Sequence, residues 1–262
     1  MADMMTEAVW LGIVGSALAS VGTGLGALPI VVIPKLTANG QGILLGLGAG
    51  VMLAATAFSL IVPGLEAAQT LWGTSLAAAL AIAGGMVLGA AFLWMSHQYF
   101  PHEHFLKGRE GAKLLSLKRV WLFVIAIAIH NFPEGLAVGV GFGGENIGNG
   151  LALTAGIFLQ NIPEGLVVAM SLVQEGYSRR EAILTSGITG FVELLGGIMG
   201  ALAVTMAQPI LPVGMGFAAG AMLFVISDEI IPESNRLGYE KAGTVGVLTG
   251  FMGMMILDVL LN

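Results

Sequence analysis

The chain has 262 residues, 56% of them hydrophobic and only 10% charged, and its mean hydropathy of +0.90 excludes a water-soluble globular domain. A net charge of −6, a pI near 5.1 and the lack of any basic stripe or aromatic platform exclude a nucleic-acid binder. The absence of cysteine removes disulfides, thiolate metal sites and cysteine nucleophiles together.

Stretches of about 20 residues with few charges predict eight membrane-spanning helices in one transporter-like domain covering residues 1–262. They run from Val9 to Ile33, Gly42 to Leu65, Leu71 to Met95, Val120 to Phe142, Gly150 to Val173, Ile183 to Ala207, Leu211 to Ile231 and Gly243 to Leu261. Asp3 and Glu7 precede the first span where a signal peptide would carry basic residues, so that span is expected to stay in the protein. With eight spans, all ten Lys and Arg fall in the loops after the first, third, fifth and seventh. The bias of basic residues toward the cytoplasm then puts both termini on the non-cytoplasmic side of the plasma (inner) membrane, and makes residues 96–119 a cytoplasmic loop carrying His102 and His104, with His97 at the end of the preceding helix.

Small residues recur every four positions at Gly22 and Gly26, at Gly42, Gly46 and Gly50, at Gly85 and Gly89, at Gly196 and Gly200, and at Gly246 and Gly250. In lipid, such faces let two helices approach closely, so the glycines predict a tight bundle. The fourteen methionines are not spaced as a ligand ladder for copper(I) and read as fillers of apolar gaps.

Two near-copies of a hexapeptide interrupt the fourth and fifth spans: His130-Asn131-Phe132-Pro133-Glu134-Gly135 and Gln160-Asn161-Ile162-Pro163-Glu164-Gly165. On a helix, positions three and four apart share a face. His130, Asn131 and Glu134 therefore form one three-pronged claw, and Gln160, Asn161 and Glu164 a second. Pro133 and Pro163 cannot donate to the carbonyls of Ile129 and Leu159, which predicts a kink and a freed carbonyl beside each claw.

Glu193 in the sixth span and Asp228 and Glu229 in the seventh add further acids. Insertion scales set a central Asp, Lys or Arg at roughly 2.5–3.5 kcal/mol, so five lipid-facing acids would cost on the order of 10 kcal/mol. They must face inward, where no Lys or Arg is available to neutralise them, and this points to a cationic substrate. Both claws begin about midway along their spans, and Glu193 lies at a similar depth, which is where carriers tend to hold substrate. Imidazole, carboxylate and amide oxygen together suit Zn²⁺, with Fe²⁺ and Mn²⁺ as further choices, whereas Mg²⁺ or Ca²⁺ would be expected to use oxygen alone.

Asp228, Glu229, His102 and His104 are expected nearer the cytoplasmic face, as a transient exit site with His97 at the neighbouring helix end; solvated acids capping a helix end are the alternative. An intramembrane protease would need HExxH, a GxGD aspartate or a serine elbow, and an ATP-driven pump a GxxxxGK[ST] loop, and the chain has none of them. A proton-coupled carrier of another cation and a metal exporter stay open. A quaternary ammonium substrate would call for an aromatic cage, and Phe132 is the only aromatic in either claw.

Eight spans together with HNFPEG and QNIPEG resemble the ZIP (Zrt/Irt-like) metal-ion transporters, in particular their prokaryotic GufA-like branch. The resemblance implies an all-α membrane fold in an inverted 3+2+3 arrangement with helices 4 and 5 in the centre, a homodimer, a binuclear midplane centre, and movement of Zn²⁺, Cd²⁺, Fe²⁺ or Mn²⁺ into the cytoplasm. The metal is then substrate; the resemblance implies no cofactor and no catalytic residue. One ion would be held by His130, Glu134, Gln160 and Glu164, and a second by Asn131, Asn161 and Glu193, with Glu134 and Glu164 bridging. Many members carry His where this chain has Gln160, and some carry Asp where it has Asn161. Gln is a weak metal ligand, which implies looser selectivity than strictly zinc.

Overall fold

The computed structural model describes residues 2–33, 37–99, 102–104, 108–110, 119–143, 147–206, 210–235 and 240–261. Among the described residues, eight helices are long and apolar enough to cross a membrane. We label them α1 (Ala2–Ala27, extended by a 3₁₀ turn Leu28–Val31), α2 (Ala38–Ala54 continuing through a π-helical segment Ala55–Ile61 into Val62–Trp72), α3 (Ser75–Tyr99), α4 (Arg119–Gly141), α5 (Ile147–Gln174), α6 (Arg179–Met206), α7 (Ile210–Val225, a π-helical segment Ile226–Ile230, then Ile231–Ser234) and α8 (Glu240–Leu261). Between α3 and α4 a short antiparallel pair, β1 (His102–His104) and β2 (Gly108–Glu110), sets His102 opposite Glu110 and His104 opposite Gly108.

Several boundaries differ from those read off hydropathy. Helix α2 runs on to Trp72, and Gly73, with φ 72° in the left-handed region, stops it two residues before α3 begins. Helix α3 continues past the apolar stretch to Tyr99, which puts His97 in its last turn, at the helix end where it was expected. Backbone hydrogen bonding does not stop where hydrocarbon does, so a helix overruns its apolar stretch until a residue such as Gly73 ends it. The turn between α5 and α6 reverses at Gly176 (φ 90°). A capping box then starts α6: the Ser178 backbone N–H donates to Glu181 Oε2 at 2.8 Å, and the Glu181 N–H donates to Ser178 Oγ at 3.2 Å.

The two π segments have one cause. Pro63 and Pro232 each lack the N–H that would bond the carbonyl four residues back. Immediately before them the ladder widens: Val62 donates to the Ala57 carbonyl and Ile231 to that of Ile226, five residues back in both cases. Such bulges turn the following side chains out of the ordinary helical register, and in α7 the side chains affected include Asp228 and Glu229.

The principal helix pairings are α2 with α8, α4 with α6, α3 with α7, and α1 with both α5 and α6. The predicted glycine faces sit at these crossings. A methyl group added at Gly26 would overlap the carbonyl of Ile162 in α5, at Gly50 that of Val247 in α8, at Gly89 that of Phe217 in α7, and at Gly196 that of Phe132 in α4. Outward, α3 and α8 expose Leu76, Leu80, Val87, Val245, Leu248 and Val259, the apolar coat a bilayer requires. The buried core lies where α2, α4, α5 and α7 meet and includes Met52, Leu60, Val138, Leu153, Ile157 and Met222.

Gly89→Ala is expected to destabilise the protein by about 1–3 kcal/mol through overpacking, seen as a lower melting temperature in detergent. Gly253, beside which an added methyl group meets open space, is the control: Gly253→Ala should leave the melting temperature unchanged or raise it.

Candidate metal centre

The two claws face each other. Gln160 Nε2 on α5 donates to Glu134 Oε1 on α4 at 2.6 Å, with both side chains buried. One helical position along, Asn161 Nδ2 donates to Glu193 Oε2 on α6 at 2.6 Å and to the Ala19 carbonyl on α1 at 3.0 Å. That single amide therefore ties α1, α5 and α6 together around a carboxylate that is itself 0% exposed.

The glycines closing the two motifs explain the close approach. A methyl group at Gly135 would overlap the Glu193 carbonyl, and one at Gly165 would overlap that of Thr23. Helix α6 thus lies directly on the first motif, and α1 directly on the second. Both α4 and α5 run unbroken through Pro133 and Pro163.

The claws are not the closed sets that helical spacing suggested. Glu134 turns toward Gln160, whereas His130 Nε2 lies 2.7 Å from Glu229 Oε1 on α7. His97 on α3 completes that second group, its Nε2 standing 3.2 Å from the same carboxylate oxygen. Glu229, grouped by sequence reasoning with His102 and His104, is therefore beside His130. Asp228 precedes it in the π segment, half-buried. His102 and His104 occupy β1, and their side chains lie outside those described. The signal for Glu229 was Pro232 three residues on, whose missing N–H accompanies the widened turn. For His97 no local signal exists, because its partners come from α4 and α7.

What remains around the claws is a set of buried side-chain oxygens without hydrogen-bond partners: Asn131 Oδ1, Glu134 Oε2, Gln160 Oε1, Asn161 Oδ1, Glu164 Oε1 and Glu193 Oε1. A buried acceptor left unsatisfied costs about 1–3 kcal/mol, and more when charged. Five of the six come from the residues whose helical spacing marked them as candidate ligands, and the sixth from Glu193, marked by its depth in the sixth span. A cavity of about 40 Å³ opens onto His130, Gln160 and Glu164, walled by Leu44, Met52, Ile127 and Pro163 among others. One probe sphere of water needs about 10–15 Å³, so a dehydrated metal ion fits. Oxygen and imidazole donors in an apolar wall, with no Lys or Arg among them, can take up a cation and hold no anion.

Comparison with known proteins agrees with this chemistry. Residues 96–258 match the ZIP Zinc transporter family. Over 251 residues the chain is 45% identical to the Zinc transporter GufA of Myxococcus xanthus, covering 96% of this chain and 99% of that protein. It is 43% identical over 254 residues to the Zinc transporter ZIPB of Bordetella bronchiseptica, covering 97% of this chain and 82% of the other. The Zinc transporter ZupT of Streptococcus mutans is 30% identical over 263 residues, with 96% and 98% covered.

Asn161→Ala should lower stability by about 1–3 kcal/mol, because it strips a buried donor from Glu193. Thermal unfolding of the purified protein checks this. Thr70→Ala, which removes only an exposed hydroxyl bonded within its own helix, should stay within about 0.5 kcal/mol of the unmodified protein.

Proposed function

Because this chain belongs to the ZIP zinc transporter family, we propose that it carries divalent transition-metal cations, Zn²⁺ foremost and Cd²⁺, Fe²⁺ and Mn²⁺ besides, into the cytoplasm through a midplane pair of metal positions. It is a multi-pass membrane transporter, not an enzyme, and the metal is its cargo. The observation that carries the reading is the group of unpaired buried oxygens on α4, α5 and α6, in a bundle whose apolar spans carry no Lys or Arg.

The first position is formed by His130, Glu134, Gln160 and Glu164, and the second by Asn131, Asn161 and Glu193, with Glu134 and Glu164 bridging. The Gln160 amide now clamps Glu134 through its nitrogen. Its unpaired Oε1 is the atom it would offer to the ion, and rotation of the amide exchanges one role for the other. Carbonyl oxygen is a harder donor than imidazole, which favours tolerance of Mn²⁺ and Fe²⁺ over strict zinc selectivity.

The orientation is the one the basic residues indicate, with both termini outside and the Lys- and Arg-bearing loops in the cytoplasm of a cell whose plasma membrane holds the protein as a homodimer. A 3+2+3 arrangement is supported by the pairing of α2 with α8 and α3 with α7, while α1 and α6 flank α5 and α4. Ions enter from outside, displace protons from Glu134 and Glu164, and leave when the bundle reorients.

Glu134→Ala should abolish Zn²⁺ uptake into proteoliposomes while the variant elutes and melts as a folded protein; undiminished flux contradicts the assignment. Carboxylates and imidazole bind metal only after losing their protons, so metal and proton compete for the same atoms. Affinity must fall as pH falls. Zn²⁺ titrations at neutral pH and at about pH 5.5 should show weaker binding at the lower value, and equal affinity would exclude these ligands.

A further inference from the structure

Phe132 stands inside the first motif, between Asn131 and Pro133, and carries no ligand atom. Helical residues follow one another at about 100°, so Phe132 lies about 200° round α4 from Glu134. Its ring centre is 5.8 Å from that of Phe92 on α3, with the planes inclined at 42°. Phe92 in turn stands 5.6 Å from Phe217 on α7, at 48°. Phe92 is 38% exposed, so the three rings form a bridge at the rim of the bundle, from α4 through α3 to α7.

The two flanks of α4 are held in different ways. On the α6 flank the contact is backbone on backbone: a methyl group at Gly135 would overlap the Glu193 carbonyl and one at Gly139 that of Gly197, while Gly196 and Gly200 meet the carbonyls of Phe132 and Leu136. A line of contact without side chains fixes how near the two axes come, yet it leaves a helix free to roll about that line. Toward α3 the contact is made by rings. Aromatic pairs prefer tilted or offset arrangements with centres about 4.5–7 Å apart, so a ring resists displacement where a flexible aliphatic chain would follow it.

We propose that Phe132 is a positioning residue for the midplane centre: its ring, backed by Phe92 and Phe217, sets the roll of α4 about its own axis and with it the bearing of Asn131 and Glu134 toward α5 and α6. The proposal rests on the reading of the chain as a metal transporter and adds to it a residue outside the ligand set. Side-chain ends stand roughly 5–6 Å from a helix axis, so a roll of about 10° carries them about 1 Å. Metal–ligand distances tolerate only about 0.2 Å, and the 2.6 Å contact between Gln160 and Glu134 would shift with the same roll.

The second motif has Ile162 at the matching place, and a hydrogen bond explains why a ring is not needed there. Asn161 Nδ2 donates to the Ala19 carbonyl of α1 at 3.0 Å, which fixes the roll of α5. Asn131, its counterpart on α4, is 0% exposed, and neither its Nδ2 nor its Oδ1 has a hydrogen-bond partner. With no such tie at Asn131, the ring of Phe132 takes over the task.

The test uses the full chain, titrated with Zn²⁺ in detergent and assayed for Zn²⁺ uptake in proteoliposomes. Phe132→Leu keeps an apolar side chain and removes the ring. It should fold, bind Zn²⁺ about tenfold to a hundredfold more weakly, as is usual when a group supporting metal ligands is lost, and show a KM for uptake raised in step. Phe92→Leu, outside both motifs, should weaken binding in the same direction. The double variant should bind no more weakly than Phe132→Leu alone, because the bridge is already open. Phe251→Leu on α8 is the control: it breaks an edge-to-face pair with Phe58, ring centres 5.8 Å apart, and should lower the melting temperature without changing Zn²⁺ affinity. Unchanged affinity in folded Phe132→Leu overturns the positioning role. So does a double variant whose loss is the product of the two single losses, or a Phe251→Leu protein that loses as much affinity as the other two; in each case the transport reading stands. If Phe132→Leu does not fold, Phe92→Leu decides alone, and unchanged affinity there overturns the role. An unmodified chain that neither binds nor transports Zn²⁺ overturns both.

Discussion

A carboxylate inside an apolar helical bundle needs either a proton or a positive partner, and apart from the imidazoles of His97 and His130 beside Glu229 the apolar spans carry no Lys or Arg to serve as one. Glu134, Glu164, Glu193 and Glu229 lie on four different helices, so each must be brought from its own direction toward a space that lipid cannot fill. Amide donors satisfy part of the demand: Gln160 holds one oxygen of Glu134, and Asn161 holds one oxygen of Glu193. The oxygens left over are what a divalent cation would satisfy, and taking up that charge turns an unfavourable burial into a favourable one.

Glycine makes this possible at the level of the backbone. The same hexapeptides that carry the ligands end in Gly135 and Gly165, and those two positions receive the carbonyls of Glu193 and Thr23 from α6 and α1. A bulkier residue at either would push a neighbouring helix away from the ligands by about the size of a methyl group. Chemistry and packing are thus written into one short segment. The π segments work in the opposite sense, loosening the ladder before Pro63 and Pro232 so that side chains in α2 and α7 leave the regular register.

Much of this was legible in the residues. Charge placement and hydropathy predicted the eight helices, because a bilayer tolerates few other ways to satisfy backbone groups. Glycines four apart marked the crossings, since in lipid that spacing serves close approach. The claws were legible from periodicity, yet periodicity describes a face some 100° wide, and the structure divides that face between neighbours: Glu134 toward α5, His130 toward α7. Long-range contacts decided the remainder. Glu229 beside His130 depends on a register change in α7, and His97 depends on α3 overrunning its hydrophobic stretch and packing on α7. No local pattern in either segment encodes the other two.

Anomalous diffraction locates a metal ion independently of any assumption about its ligands. Crystals of the protein grown with Zn²⁺ or Cd²⁺ and measured at the metal's absorption edge should show a peak bounded by His130, Glu134, Gln160 and Glu164. Crystals that diffract well, contain the metal, and place no peak among those four side chains would contradict the claim that a divalent cation is the counter-charge for these buried acids.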